Sequence, residues 1–146
     1  MNPSLVNQLR EILGGENLFD SLEKRIAYCS DASRMTGSIP DVVARPTTTE
    51  QVSRILRAAN STGTPVYARG AGSGLTGGAV PVRGGIVLDF ALMNKILAVD
   101  ADNMTALVQP GVITGDLQQR AQKLGLFYPP DPASSDFCTT GGNVAE

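Results

Sequence analysis

A chain of 146 residues, 42% of them hydrophobic, is long enough to bury the core of one ordinary domain. Its net charge is only -2 and no apolar run approaches the roughly 18–20 residues that span a bilayer, which argues against nucleic-acid binding and a membrane span. Two distant cysteines and no histidine exclude a disulfide framework, a histidine-based triad and the usual zinc ligands. We therefore expect no metal site, and a reducing, cytoplasmic location fits best.

The first 37 residues are predicted to form an N-terminal helical extension. Asn2 and Pro3 are typical of a helix start, and apolar residues then recur at helical spacing up to the stop signal Gly14-Gly15. A second short helix is predicted over residues 21–28. Residues 30–40 are polar and rich in turn formers, so we expect a loop.

A strand–helix–strand unit is predicted next. Residues 42–44 form a short apolar strand, and Thr47 with Glu50 three residues later matches a capping box at a helix start. The helix is expected to stop at Gly63, and residues 65–68 form a second strand. This order predicts a small parallel βαβ unit.

The later elements predict antiparallel pairing. Residues 86–90 are an apolar strand, and residues 96–99 and 104–109 flank a turn, as in a hairpin. Thr114 is predicted to cap a further helix that ends at Gly125. Parallel and antiparallel signals in one chain predict an α+β fold.

Residues 69–78 form a loop with five glycines in ten residues, RGAGSGLTGG. Glycine lets backbone N–H groups turn toward one point, which makes an anion-binding nest. Ser73 and Thr76 add hydroxyl donors and Arg69 a positive charge, so the loop suits a pyrophosphate. A flexible surface loop without a ligand is the alternative.

Parts of this loop also resemble the sequences of two familiar nucleotide-binding motifs, but the residues around them do not fit either motif. Gly72, Gly74 and Gly77 have the spacing of the Rossmann fingerprint, yet Pro81 makes the helix that the fingerprint requires improbable. A Walker loop fails because Gly78 stands where its lysine should be. We therefore predict a phosphate-binding loop of another type.

A second cluster of glycine and small polar residues occupies positions 129–143. Pro129-Pro130-Asp131-Pro132 stiffens the chain ahead of several hydroxyl side chains and Gly141-Gly142-Asn143, which favours close approach to a flat ligand; a plain loop is the alternative. Cys138 is expected to be a packed side chain and not a reactive thiol. Asp131 and Asp136 have no identifiable acid–base partner, so no catalytic residue is predicted.

Taken together, four segments resemble one known family. They are residues 43–48 (VARPTT), 65–78, 108–112 (VQPGV) and 129–146, and residues 28–36 are also typical. The chain resembles the vanillyl-alcohol-oxidase and p-cresol-methylhydroxylase (PCMH) type of FAD-binding domain over residues 40–146, and we predict that the incomplete domain occupies residues 38–146. Within that family it looks like the 2-hydroxy-acid dehydrogenases of the glycolate oxidase and D-lactate dehydrogenase type.

The resemblance implies a fold and a cofactor site. The fold is α+β, with a small parallel βαβ part and the start of an antiparallel sheet with helices, and FAD lies between the two. FAD would be non-covalent, because the chain has no histidine for attachment. The implied cofactor-binding residues are Arg69, Gly70, Ala71, Gly72, Ser73, Gly74, Gly77, Gly78, Pro129, Asp131, Ser134, Thr139, Gly141, Gly142 and Asn143.

The resemblance also implies oxidation of a small 2-hydroxy acid to the 2-keto acid, with glycolate or D-lactate as substrate. Possible partners are the other glycolate oxidase subunits, including an iron–sulfur subunit that could hold the protein at the inner membrane. Members of the family continue well past residue 146, so we expect an incomplete domain that binds FAD weakly or not at all and has no turnover. The alternatives are a non-catalytic nucleotide-binding module and an oxidase of the same family with another alcohol substrate.

Overall fold

The computed structural model describes residues 2–145, beginning with helix α1 (Pro3–Leu13). The Asn2 side chain accepts a hydrogen bond from the Ser4 N–H at 2.9 Å, so the predicted helix start is confirmed. Strand β1 (Leu18–Phe19), which the sequence did not predict, follows. Helix α2 (Leu22–Arg25) then continues into a 3₁₀ turn over Ile26–Tyr28, close to the predicted short helix.

Four strands form the main sheet in the order β1-β2-β4-β3. Strand β2 (Val42–Ala44) and strand β3 (Val66–Arg69) each pair in parallel with strand β4 (Ile86–Asp89), which lies between them. The predicted strands are therefore parallel, but they are not neighbours. Because β3 and β4 run the same way, their carboxyl ends share one edge, and the glycine loop starts there.

Helix α3 (Thr49–Ser61) connects β2 to β3. Its N-cap is Thr48, whose hydroxyl accepts from the Gln51 N–H at 3.2 Å, while the Gln51 side chain accepts from the Thr47 N–H at 2.8 Å. The predicted capping box was thus wrong by one residue: the Thr48–Gln51 pair satisfies the free N–H groups, and Glu50 does not. Helices α1 and α3 pack together on the sheet.

The core joins the N-terminal helix to the sheet. Leu5 and Leu9 of α1 are almost fully buried in one cluster with Ile55 of α3 and Ile86 of β4. Burial of this apolar surface is the main stabilising contribution. The division at residue 38 remains a prediction, although the two parts share this core.

The second half adds a hairpin and two helices. Strands β5 (Ile96–Asp100) and β6 (Thr105–Val108) pair antiparallel in a sheet of their own, as predicted. Helix α4 (Thr114–Gln122) has Ile113 at its N-cap, so the prediction that Thr114 caps it was wrong. Helix α5 (Thr140–Ala145) occupies the end of the second glycine cluster, where no helix was predicted. Within residues 2–145, no helix is long and apolar enough to cross a membrane.

Candidate functional site

A cleft of about 260 Å³ lies where the glycine loop meets the start of α5. About half of the lining residues belong to the glycine loop, and most of those are glycine or alanine. The residues that line it are Asp31, Ala68, Gly70, Ala71, Gly72, Ser73, Gly74, Thr76, Gly78, Ala79, Cys138, Thr139, Gly142, Asn143 and Ala145. This volume lies just below the range of about 300–1,000 Å³ that is usual for small-molecule sites, so it suits part of a nucleotide.

The loop presents unpaired backbone donors to this cleft. Among residues 2–145, no backbone acceptor takes a hydrogen bond from the N–H groups of residues 70–74. Gly72 has φ +70° and Gly77 has φ +79°, a backbone region that favours glycine. Because donors without a partner favour an anion, this arrangement suits phosphate oxygens.

Residues 138–143, here called the C-terminal wall, contact the loop through Thr139. A Cβ atom added at Gly70 would overlap Thr139 Oγ1, so the two segments touch at a point where only glycine fits. The Thr139 hydroxyl accepts from the Gly142 N–H at 3.3 Å, which leaves its own hydrogen able to bond a ligand in the cleft.

Helix α4 holds the C-terminal wall in place. The Thr114 N–H donates to the Cys138 carbonyl at 3.0 Å, and the Thr114 hydroxyl accepts from Asn143 Nδ2 at 2.7 Å. Cys138 is buried and its thiol donates to the same hydroxyl at 3.2 Å. The expectation of a packed cysteine agrees with this position.

Residues 30–36, here called the N-terminal wall, contact the loop at several points along its length. The Ala32 N–H donates to the Gly72 carbonyl at 2.9 Å, and Arg69 Nη1 donates to the Ser30 carbonyl at 2.7 Å. A Cβ atom at Gly77 would overlap the sulfur atom of Met35. The wall therefore fixes the loop through both backbone and side-chain contacts.

Asp31 is a cleft residue that sequence reasoning missed. Its Oδ1 accepts from the Ser33 N–H at 2.9 Å, whereas its Oδ2 is buried and has no hydrogen-bond partner within residues 2–145. No other charged side chain of that part of the chain lines the cleft. The available signal was the family-like stretch 28–36, from which no site residue was predicted.

Tyr28 anchors the N-terminal wall to the sheet. Its hydroxyl donates to Oδ2 of Asp89, the buried last residue of β4, at 2.8 Å, and Arg45 Nε lies 3.4 Å from the same oxygen. The Arg69 guanidinium stacks 5.3 Å from the centre of the Tyr28 ring. Burial, and secondarily the hydrogen bond to Asp89, raise the pKa of Tyr28 to about 12.

The predicted site residues fall into two groups. Nine of them line the cleft: Gly70, Ala71, Gly72, Ser73, Gly74, Gly78, Thr139, Gly142 and Asn143. Six do not: Arg69, Gly77, Pro129, Asp131, Ser134 and Gly141.

The six lie close to the cleft or in neighbouring grooves. Arg69 is turned toward Ser30 and Tyr28, and Gly141 packs on Pro110. Pro129 and Asp131 line a separate groove beside α4, and Ser134 lines an open groove with Leu75. A role for these six at the cofactor remains a prediction.

These features suit a class of protein in which loop backbone would hold the diphosphate of a nucleotide. Residues 70–85 contain no helix, so the loop is not a Rossmann fingerprint, as predicted. The chain belongs to the FAD binding domain family, whose model matches residues 40–146.

Known proteins agree with this assignment. The chain is 46% identical over 139 residues to the glycolate oxidase subunit GlcD of Bacillus subtilis (strain 168), covering 95% of this chain and 30% of that protein. It is 45% identical over 146 residues to a D-lactate dehydrogenase of Anaerostipes hadrus, covering 99% of this chain and 30% of that protein. The chain thus spans about a third or less of the length of these relatives.

A solved structure of p-cresol methylhydroxylase with substrate bound matches with a TM-score of 0.73 and 28% identity, covering 84% of this chain and 25% of that one. The predicted PCMH-type resemblance and α+β fold are therefore confirmed.

The residues present fit the diphosphate portion of FAD. The free N–H groups of residues 70–74 and the Thr139 hydroxyl can donate to phosphate oxygens. Gly70 lies so close to Thr139 that only glycine fits there, which keeps the loop backbone beside that hydroxyl. In the absence of histidine, a histidyl bond to flavin is excluded within this chain.

Proposed function

We propose that this chain holds the diphosphate part of a non-covalent FAD in a flavin-dependent dehydrogenase of 2-hydroxy acids. The observation that carries the proposal is the cleft in which the unpaired N–H groups of residues 70–74 meet the hydroxyl of Thr139. The role of the chain is to bind and orient the nucleotide. The six predicted residues outside the cleft belong to the same proposal as contacts to the rest of FAD.

The chemistry that FAD supplies when bound is acceptance of a hydride from the carbon that bears the substrate hydroxyl. Glycolate and D-lactate are the proposed substrates, on the basis of the glycolate oxidase subunit and the D-lactate dehydrogenase named above. Within residues 2–145, Asp31 is the one charged side chain of the cleft, and no acid–base pair is placed there. We therefore propose that the chain alone has no turnover.

Partners and location follow the same relatives. The GlcD protein is described as a subunit, so we propose assembly with other subunits, among them an iron–sulfur protein. A cytoplasmic location, with any membrane association through those partners, completes this proposal.

The test is a titration of the purified chain with FAD, followed by flavin fluorescence anisotropy. We expect saturable but weak binding, with a Kd on the order of 0.1 mM, because only part of the ligand is contacted. Riboflavin, which has no phosphate, is the matched control and should bind more weakly. Equal affinity for riboflavin and FAD would contradict diphosphate binding.

A second measurement separates binding from activity. Glycolate or D-lactate is added to the FAD-loaded chain with an electron-accepting dye. We expect no reduction of the dye. Tightly bound stoichiometric flavin together with glycolate-dependent reduction would show that the chain is a complete enzyme. FAD binding without turnover would equally fit a non-catalytic nucleotide module. The two functions would then be distinguished by testing whether a longer protein that contains this segment oxidises a 2-hydroxy acid.

A further inference from the structure

Asp31 lines the cleft, and one of its carboxylate oxygens has no partner among the described residues. Its Oδ2 is buried and accepts no hydrogen bond from residues 2–145, and residues 70–74, which line the same cleft, have no backbone acceptor for their N–H groups. A buried carboxylate oxygen without a donor is costly, so the environment of Oδ2 is complete only when something else supplies a donor.

The carboxylate is held in this position by the protein. Oδ1 accepts from the Ser33 N–H at 2.9 Å, which fixes the side chain against its own turn. The next residue, Ala32, donates its N–H to the Gly72 carbonyl at 2.9 Å. Ser30, on the other side, accepts from Arg69 at 2.7 Å. Asp31 is therefore preorganised beside the loop and does not swing freely in solvent.

The two unpaired sets require opposite groups from one ligand. The N–H groups of residues 70–74 require acceptors, and Asp31 Oδ2 requires a donor. A diphosphate offers acceptors only, and its charge would repel the carboxylate. The sugars attached to a diphosphate carry hydroxyl groups, which donate. A metal cation is disfavoured, because the described residues contain no cluster of three or more His, Cys, Asp or Glu side chains that could hold one.

We propose that Asp31 binds the nucleotide by accepting, through Oδ2, a hydrogen bond from a sugar hydroxyl next to the diphosphate. This inference rests on the proposed function, since it assumes that a dinucleotide occupies the cleft. The hydroxyl belongs either to the ribose of the AMP half or to the ribityl chain of the FMN half. In both cases the hydrogen bond to Asp31 fixes the position of the nucleotide along the loop.

The test uses Asp31→Asn, which keeps the shape of the side chain and the acceptor for Ser33 but removes the charge. The exposed Asp102, in the turn between β5 and β6, provides the control Asp102→Asn with the same charge change. Affinities for FAD, FMN, ADP and inorganic pyrophosphate are measured by anisotropy or calorimetry. Thermal unfolding of each free variant is recorded by circular dichroism.

We expect Asp31→Asn to weaken FAD binding about tenfold, the usual effect of losing a hydrogen bond to a charged group. Pyrophosphate has no sugar hydroxyl, so its affinity should stay the same or rise. A loss shared by ADP places the hydroxyl in the ribose, and a loss shared by FMN places it in the ribityl chain. Free Asp31→Asn should unfold at or above the wild-type temperature, because an unpaired buried charge is removed.

Two results would overturn the inference. If Asp31→Asn strengthens or leaves unchanged the binding of FAD, Asp31 does not accept a hydrogen bond from it. If Asp102→Asn weakens FAD as much as Asp31→Asn does, the effect is one of net charge. A wild-type chain that binds neither FAD nor pyrophosphate contradicts the proposed function as well. If the wild type binds FAD as expected and Asp31→Asn binds it equally well, only the role of Asp31 is refuted and the proposed function stands.

Discussion

The two walls of the cleft contact the same glycine loop in different ways. The C-terminal wall brings side chains with hydroxyl and amide groups, such as Thr139 and Asn143, into the cleft. The N-terminal wall contacts the loop mainly through backbone atoms of Ser30 and Ala32, and it contributes one carboxylate, Asp31, to the lining of the cleft. A segment rich in small polar residues is therefore visible in sequence, while a segment that acts through its backbone is not.

The largest effect is expected from separating the loop from the C-terminal wall. In Gly70→Ala the new Cβ would overlap Thr139, which is 5% exposed and has little room to move. We expect a loss of about 2 kcal/mol of unfolding free energy, typical of overpacking, and at least about tenfold weaker FAD binding. Chemical denaturation and FAD titration measure the two effects.

The matched control is Gly15→Ala, since a Cβ there meets no atom within 4 Å. We expect it to change stability by no more than about 0.5 kcal/mol and to leave FAD binding intact. Equal behaviour of the two alanine variants would mean that the contact between Gly70 and Thr139 is not tight.

An intermediate effect is expected from loosening the N-terminal wall at Tyr28. The folded pKa of Tyr28 is raised from 10.0 to about 12, so the folded state favours the protonated hydroxyl. The stability it contributes is complete below pH 10 and is lost as the pH rises from 10.0 toward about 12. Urea unfolding measured at several pH values up to 12 should show this decline.

Tyr28→Phe removes the hydrogen bond to Asp89 and should cost about 1–2 kcal/mol at neutral pH. Its alkaline decline should be shallower than that of the wild type. Tyr128→Phe keeps Tyr28 and should retain the wild-type slope. An unchanged slope in Tyr28→Phe would show that the alkaline loss arises elsewhere.

The smallest effect is expected from Thr139→Val, which keeps the shape of the side chain and removes its hydroxyl. The Gly142 N–H loses its acceptor, so we expect about 1 kcal/mol of destabilisation. FAD binding should weaken severalfold, because one donor to the ligand is lost. Thr105→Val on the exposed hairpin is the control, and an equal loss of FAD affinity in that variant would contradict a specific role for Thr139.

Local signals predicted much of the fold. The Asn2-Pro3 start of α1, the Gly63 stop of α3 and the hairpin around residues 100–104 depend on neighbouring residues, and all three are present. The position of β4 between β2 and β3 depends on contacts across the sheet, which no local pattern records. Helix α5 was missed because glycines at positions 141 and 142 are poor helix formers, and contacts to α4 and Pro110 override that preference.

The site was predictable to the extent that it is made of backbone. Glycine spacing in the loop located the donors of residues 70–74, since the positive φ of Gly72 favours glycine. The side chain of Asp31 reaches the cleft through a tertiary contact between Ala32 and Gly72, which are 40 residues apart in sequence. Its role could not be derived from spacing.

The place of β4 in the sheet also has a consequence for how the chain is made. Strand β3 pairs only with β4 among the described strands, so it has no sheet partner until residues 86–89 have left the ribosome. During synthesis the glycine loop is complete before the edge that supports it exists. In the nascent chain β3 therefore remains unpaired until β4 is available. Any early contact of β3 with another strand must break before the native strand order of the sheet can form.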